Sequence, residues 1–327
     1  MTDHVGVVVV TYNSEGFLAP CLEAAVKLGP VVVVDNASAD RTLAIARAFD
    51  GVRVIANAAN LGFAAAANQG FRLLSTPLVL LLNPDAIVAT PIEPLIEACA
   101  AADIGAATGK LVHPTGEPQF GFTLRRFPTV WTLLFELLGV NHLWPTNPVN
   151  RRYRCADLDL NQAQPVEQPA GAFLLIKRAV WQQLGGFDER FYPLWFEDVD
   201  LLRRMHSLGL KVWYSPEVWA IHHGGHSLAR LAPAERHKYW YDSLLQYAGK
   251  HFQGWQVRLL AVAVVVGALG RIVTGFAGGR GLGEQFTAAI GIAGKVLRAG
   301  PKTDVGHPEV DIESKHTKVR NRQSHGQ

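Results

Sequence analysis

Two acidic segments carry the chemistry this sequence offers. Asn83-Pro84-Asp85 ends the apolar run Leu78–Leu82, and Glu197-Asp198-Val199-Asp200 follows an aromatic stretch. The first sets a carboxylate at the mouth of a buried strand. A hard cation such as Mg²⁺ or Mn²⁺ takes oxygen ligands and needs only one or two carboxylates when phosphates supply the rest. The second sets carboxylates at a helix start, where the helix dipole stabilises them. An N-cap and a general base are both open readings there. Phe191, Tyr192, Trp195 and Phe196 make a partly dry surround, and limited hydration raises a carboxylate's proton affinity toward a base's. Asp200 stands three and four residues before Arg203 and Arg204, the spacing of surface ion pairs on a helix. Together the segments suggest moving a sugar from a nucleotide to a hydroxyl.

Smaller polar clusters surround this pair. Asp35 follows four valines; it either turns the chain or accepts a hydrogen bond from a base N–H. Thr11 and Asn13 are placed to hold ribose or phosphate. Asn60, Gly62 and Asn68 form a third cluster, where glycine permits close backbone approach and a following helix N-terminus favours negative charge. His222, His223 and His226 fall within five positions. They have no HxxxH on a helix and no cysteine partner, which disfavours zinc. His222, at a strand end, can complete coordination begun by Asp85. His226 reads as a spare histidine in a solvated glycine turn.

The elements that must position these residues alternate. Val5–Val10, Val31–Val34 and Leu78–Leu82 read as buried strands, Val52–Ile55 as a short strand and Ile104–Thr108 as another strand. Helices run between them: one to about Leu28, one capped by Ser38 to about Phe49, one from Asn60-Leu61-Gly62 to about Leu74, and one opened by Pro91 to about Ala102. Repeated strand–helix units imply a mainly parallel α/β sheet flanked by helices. Ligands bind beyond the C-terminal strand ends of such sheets, where Thr11, Asp35 and Asp85 all lie. Residues 110–165 read as an insertion with one or two helices. Its Arg125-Arg126 and Arg151-Arg152-Tyr153-Arg154 are either solvated basic loops or contacts to a phosphate or anionic lipid. Further on, Ala172–Ile176 reads as a strand, Lys177–Leu184 as a helix ended by Gly185-Gly186, and Glu197–Ser207 as a helix. Lys211–Tyr214 and Trp219–His222 read as two strands.

Composition excludes several classes. The 327 residues are 49% hydrophobic and 18% charged, with a net charge of +3. That is ample for a large core and lacks the clustered basic face of a nucleic-acid binder. Cys21, Cys99 and Cys155 are odd in number and widely spaced, which fits a reducing cytosol better than a disulfide framework. No basic n-region precedes Val5–Val10, and that run is too short for a signal-peptide core. There is no GxGxxG after the first strand and no phosphate-binding GxxxxGK motif. Leu259–Gly270, bounded by Arg258 and Arg271, falls short of the ~20 residues needed to cross a bilayer. It is either a buried C-terminal helix or an interfacial helix, with Trp255 favouring the interface. The tail from Pro301 is polar and reads as disordered.

As a set, several segments resemble the signature blocks of family 2 glycosyltransferases, in the rhamnosyltransferase-like branch. They are Val9-Val10-Thr11-Tyr12-Asn13, Val34-Asp35-Asn36-Ala37-Ser38, Asn60-Leu61-Gly62-Phe63, Asn83-Pro84-Asp85, Gly186-Phe187-Asp188-Glu189, Glu197-Asp198-Val199-Asp200-Leu201 and His222-His223-Gly224-Gly225. The resemblance covers roughly residues 5–230 and implies a GT-A fold. That would comprise a glycosyltransferase domain over 1–250 (nucleotide half to about 110, acceptor half beyond), a helical extension over 251–300 and a disordered tail over 301–327. It further implies that Thr11, Tyr12, Asn13, Asp35, Asn36, Asn60, Gly62, Asn68, Asn83 and Asp85 hold the nucleotide sugar. Gly171, Trp195 and Glu197 would lie on the acceptor side, and Asp85 with His222 would hold a divalent cation. Asp198 would be the base of an inverting transfer to a glycan or lipid-linked hydroxyl. Asn83 stands where the family often has a first acid. The implied location is cytoplasmic, peripheral on the inner face of the membrane. An inactive binding protein and a nucleotidyltransferase are the competing classes. Against the first stands the presence of both Asp85 and Asp198; against the second, the absence of a glycine-rich loop in Val5–Ser14.

Overall fold

A computed structural model describes residues 4–224, 232–277 and 283–299. The expected disordered tail 301–327 and the spare histidine His226 lie outside the described residues.

The apolar runs become strands; all but Val52–Ala56, half-buried at the sheet edge, are buried on both faces. β1 (Val5–Thr11), β2 (Val31–Asp35), β3 (Val52–Ala56) and β4 (Leu78–Leu82) are parallel, in the order β3-β2-β1-β4. Alternate side chains feed two cores. Val7, Val9 and Leu80 join α1 (Leu18–Ala25) on one face; Val8, Val10 and Leu81 join α3 (Phe63–Leu73) on the other. Burial on both faces is why these runs are unbroken rather than alternating. α2 (Thr42–Arg47) begins later than expected. Ser38 does not cap it: its hydroxyl donates to Asp35, and Asp40 accepts from the Thr42 N–H at 3.0 Å. Pro91 likewise stays outside α4 (Glu93–Ala98), whose first turn holds Pro94.

The other half of the sheet is mixed. β5 (Ala86–Val88), a strand with no sequence signal, follows β4 directly. β6 (Ile104–Val112) continues past Thr108. The 113–165 region carries β7 (Leu124–Arg125), α5 (Val130–Leu137), α6 (Val140–Leu143), α7 (Pro148–Tyr153) and β8 (Gln164–Val166). β9 (Gln168–Pro169) pairs with β7 and leads into β10 (Phe173–Lys177). β10 runs antiparallel between β4 and β6, so a parallel sheet alone does not describe the fold. α8 (Arg178–Gln183) and α9 (Glu197–Ser207) follow. The two strands expected over 211–222 are one, β11 (Lys211–His222), parallel to β6. Pro216 breaks the hydrophobic pattern, yet the chain absorbs it in a register shift between Ser215 and Trp219. Proline is tolerated at such bulges because no ladder N–H is needed there.

Three C-terminal helices, Pro233–His251, Gly254–Ala277 and Gly283–Ala299, share a core with α5 through Leu133, Leu137, Leu244, Leu260 and Val264. The second is longer than the apolar run alone implies. Over Gly254–Val273 it is long and apolar enough to cross a membrane by length and composition. Asp200 corrects a further expectation. It is 0% exposed, not a surface group, and it bonds Arg204 (2.8 Å), Lys250 (2.8 Å) and His251 (2.7 Å). Arg203 instead donates to the Tyr247 hydroxyl at 2.7 Å.

Candidate active site

Asp85 and His222 meet because the chain turns at Asn83-Pro84 and pairs β5 antiparallel to the end of β11, with Ala86 opposite His222. Asp85 Oδ1 lies 3.4 Å from His222 Nε2, and Oδ2 accepts the Gly224 N–H at 3.0 Å. Burial by itself raises the Asp85 pKa. The His222 hydrogen bond and charge, with backbone N–H donors, outweigh it and leave the carboxyl below its ordinary value. Gln119 grips His222 twice: its Nε2 donates to the His222 carbonyl at 2.6 Å, and its Oε1 lies 2.9 Å from Nδ1. That network holds a proton on Nδ1; the charged ring also bonds Asp85 through Nε2–H, and the neutral ring would offer the Nε2 lone pair to a cation instead. Phe122 stacks on the imidazole, 5.1 Å between centroids and 13° between planes.

One carboxylate and one imidazole are too few for a metal cage, and no group of three acids, histidines or cysteines is gathered among the described residues. The donor set fits a single divalent cation that draws its other oxygens from phosphate and water.

The second acid arrives from α9. Trp195 (φ 78°) and Phe196 (φ 68°) are both left-handed just before the helix. Such backbone is costly for bulky residues and is held by its surroundings. Asp198 Oδ2 accepts the Gly171 N–H at 2.9 Å, and Oδ1 accepts the Val199 N–H at 2.7 Å. Burial raises the Asp198 pKa, opposed by those two N–H groups and by the Arg125 charge; the net shift is upward. Glu197 is buried, its Oε2 has no hydrogen-bond partner, and burial plus the Asp198 charge push its pKa well up. Gly171 permits a close approach: a Cβ there would lie 3.1 Å from the Asp198 Cβ, and Asp198 would have to shift by a few tenths of an ångström.

β10 joins the two acids. Gly171 holds Asp198, and the carbonyl of the next residue, Ala172, accepts the Asn83 N–H at 2.9 Å. The C-terminal end of β4 thus meets the N-terminal end of an antiparallel neighbour. Asp85 and Asp198 lie at one edge of the sheet, although only Asp85 follows a parallel strand.

The nucleotide-side candidates gather at the ends of β1 and β2. Thr11 Oγ1 donates to Asp35 Oδ1 at 3.0 Å, and the Ser38 N–H donates to Asp35 Oδ2 at 3.0 Å. Both Thr11 and Asp35 are buried, so Asp35 is a turn former, and its carboxylate serves this loop first. Asn13 (φ 52°) accepts the Ala39 N–H at 2.7 Å. Asn36 spans the Gly62 carbonyl (3.1 Å) and Asn57 (2.9 Å). Asn60 accepts the Gly62 N–H at 2.9 Å. Gly62 has φ 87°, and a Cβ there would meet the Tyr192 ring at 2.9 Å. Tyr12 is half-buried on the same rim, and the Asn83 side chain is half-buried beside β4.

Asn68 is the exception. Its amide donates to Phe187 O and Glu189 Oε1 and accepts from Phe187 N and Trp181 Nε1, all within 3.2 Å. Its two donors and two acceptor lone pairs are all used. Asn68 ties α3 to the loop after α8 and has nothing left for a ligand. One residue that sequence reasoning passed over is central, Gln119, 103 positions from His222; Arg125, read as a solvated basic loop or a contact to phosphate or anionic lipid, acts by its charge on Asp198.

A mixed, mostly parallel sheet flanked by helices, with two acids gathered at one edge, is the GT-A fold. The mannosyltransferase PcManGT from Pyrobaculum calidifontis, solved in complex with GDP-Man and Mn²⁺, shares this fold (TM-score 0.51, 17% identity, 90% of this chain and 87% of that one). Residues 6–164 match the model of glycosyl transferase family 2. It is 29% identical to the N-acetylglucosaminyl-diphospho-decaprenol L-rhamnosyltransferase of Mycobacterium tuberculosis, over 79% of this chain and 89% of the relative. It is 22% identical to rhamnosyltransferase WbbL of Escherichia coli, over 68% and 84%.

Proposed function

We propose that this glycosyltransferase moves a sugar, rhamnose by analogy with these relatives, from a nucleotide-diphosphate donor such as dTDP-rhamnose to a hydroxyl of a lipid-linked or polysaccharide acceptor. The reaction inverts the anomeric centre and serves cell-envelope glycan synthesis. The observation that carries this reading is the link from Asp198 through Gly171 and Ala172 to the Asn83–Asp85 turn.

The residue roles follow from it. The acceptor hydroxyl attacks the anomeric carbon, and the bond from that carbon to the diphosphate breaks. The hydroxyl proton passes to Asp198, whose raised pKa suits a base. The bonding pair leaves on the diphosphate. Thr11, Tyr12, Asn13, Asp35, Asn36, Asn60, Gly62 and Asn83 form the nucleotide-side wall. Gly171 fixes the base, and Trp195 and Glu197 border the acceptor. Asp85 and His222 would hold a divalent cation, which would supply Lewis-acid stabilisation of charge on a diphosphate.

The protein works at the inner face of the membrane. On the helix Gly254–Ala277, Trp255 (62% exposed), Leu259, Val262, Val266, Leu269 and Val273 (67% exposed) recur at steps of four and three and form one exposed apolar stripe. The helix has no acidic residue, and Arg258 is exposed on it. Such a face suits an interfacial helix on an anionic bilayer. A panel of nucleotide-sugar donors, with and without chelator, tests the reaction in wild type and Asp198→Asn. Full turnover in that variant overturns the base; full turnover in excess chelator overturns the cation.

A further inference from the structure

Arg125 is a half-buried cation with no ion-pair contact among the described residues. It sits on β7, held at its root by donation from Nε to the Gly121 carbonyl at 2.7 Å. Its guanidinium lies 5.7 Å from the Phe122 ring centroid and 5.9 Å from that of Tyr153. Phe122 is the same ring that stacks on His222. The terminal nitrogens of Arg125 make no hydrogen bond or ion pair among the described residues. Its neighbour Arg126 is spent on Asp157 at 2.6 Å.

The site around it is built. Arg125 pairs in register with Gln168 of β9, and residues directly opposite in an antiparallel pair project from one face. Gln168 is buried, and its Oε1 has no hydrogen-bond partner. Three residues on is Gly171, which holds Asp198. The Arg125 charge acts on Asp198. Arg151 and Arg152, next to Tyr153, are exposed and carry no acidic partner among the described residues. A rigid, stacked guanidinium with free forked donors matches phosphate oxygens in geometry and charge.

We propose that Arg125 is a phosphoryl-binding residue on the acceptor side of the site, holding the diphosphate that joins the acceptor sugar to its carrier. The assignment rests on the glycosyl-transfer reading above. The donor diphosphate is directed to Asp85 and His222, while Arg125 borders the base. The vacant Gln168 carbonyl oxygen beside it suits a sugar hydroxyl.

The test compares wild type, Arg125→Gln and Arg125→Lys in three arms. In the first, KM is measured for an acceptor sugar bearing a lipid diphosphate; in the second, for the same sugar on an uncharged alkyl group. In the third, nucleoside diphosphate and inorganic diphosphate are titrated calorimetrically without turnover. Loss of one charge-assisted phosphate contact raises the diphosphate-acceptor KM about 10- to 100-fold in Arg125→Gln. The neutral acceptor's KM stays unchanged, and Arg125→Lys recovers part of the loss. If nucleoside diphosphate binding weakens instead and both acceptors suffer equally, the phosphoryl contact is the donor's and the acceptor assignment is overturned. If all three arms stay within twofold of wild type, Arg125 binds no phosphoryl group. The titration arm reads out even if wild type transfers no sugar, so failure of the transfer reading is separable.

Discussion

Asp198 and Gly171 meet at 2.9 Å, a carboxylate oxygen on a backbone N–H, across 27 positions of sequence. The contact aims the acid without neutralising it, because this N–H and that of Val199 each take one oxygen and leave lone pairs for an incoming hydroxyl. Asn at position 198 keeps an acceptor for that N–H and loses the basic oxygen. Asp198→Asn therefore folds and binds donor as wild type does, while kcat drops about 10²- to 10⁴-fold. Burial raises the Asp198 pKa, and only the ionised form accepts a proton. Rate–pH profiles should lose activity on acidification at a pH above that of an ordinary aspartate.

Gln119 decides which nitrogen of His222 is free. Gln119→Leu removes the acceptor for Nδ1 and lets the ring choose the other tautomer. The divalent-cation concentration for half-maximal activity should rise about 10- to 100-fold, with little change in donor KM at saturating cation. Unchanged cation dependence counts against His222 as a ligand.

Glu197 is held at a cost to stability. Its folded pKa is raised well above the unfolded value. Folding stability from this group is full below the unfolded pKa and declines as pH rises through the folded one. Glu197→Gln should therefore melt higher than wild type at neutral pH, with the gain shrinking toward pH 4. Thermal melts across pH check the sign.

Asp200 behaves oppositely. Burial raises its pKa, but His251, Arg204 and Lys250 outweigh this and lower it. Its contribution is present above the unfolded carboxylate pKa and is lost as pH falls through the lowered folded value. Asp200→Asn leaves Arg204 and His251 short of a counter-charge, while Lys250 keeps Asp188 at 2.7 Å, and should cost about 3 kcal/mol at neutral pH in denaturant titrations. The loss loosens the first C-terminal helix from α9, the helix that carries Asp198.

The exposed stripe gives a binding prediction. Val262→Asp with Val266→Asp puts charge on the solvent side of the helix, away from its buried Leu260 and Val264. Sedimentation with vesicles containing anionic lipid should fall about tenfold or more, while transfer to a water-soluble acceptor is retained. Equal sedimentation of both forms removes the membrane assignment.

The sequence by itself determined the strand–helix order of the first 110 residues, the short β5 excepted. Doubly buried strands must be unbroken β-branched or leucine runs, and turn residues must follow them. It also placed α9, from Glu197 to Ser207, and marked Asp85, Asp198 and His222 as the residues to watch, because their types and positions at element ends are local properties. Pairing is not local. That β10 runs antiparallel beside β4, that Pro216 is absorbed within one strand, and that Asp200 is buried against a C-terminal helix depend on partners tens of residues away. The same holds for the site. Asn68 looked like a ligand residue until its four hydrogen bonds were found within the protein. Gln119 and Arg125 looked like loop residues until the fold set them against His222 and Asp198. A side chain's type states which bonds it can make; only the tertiary structure decides which of them are already made.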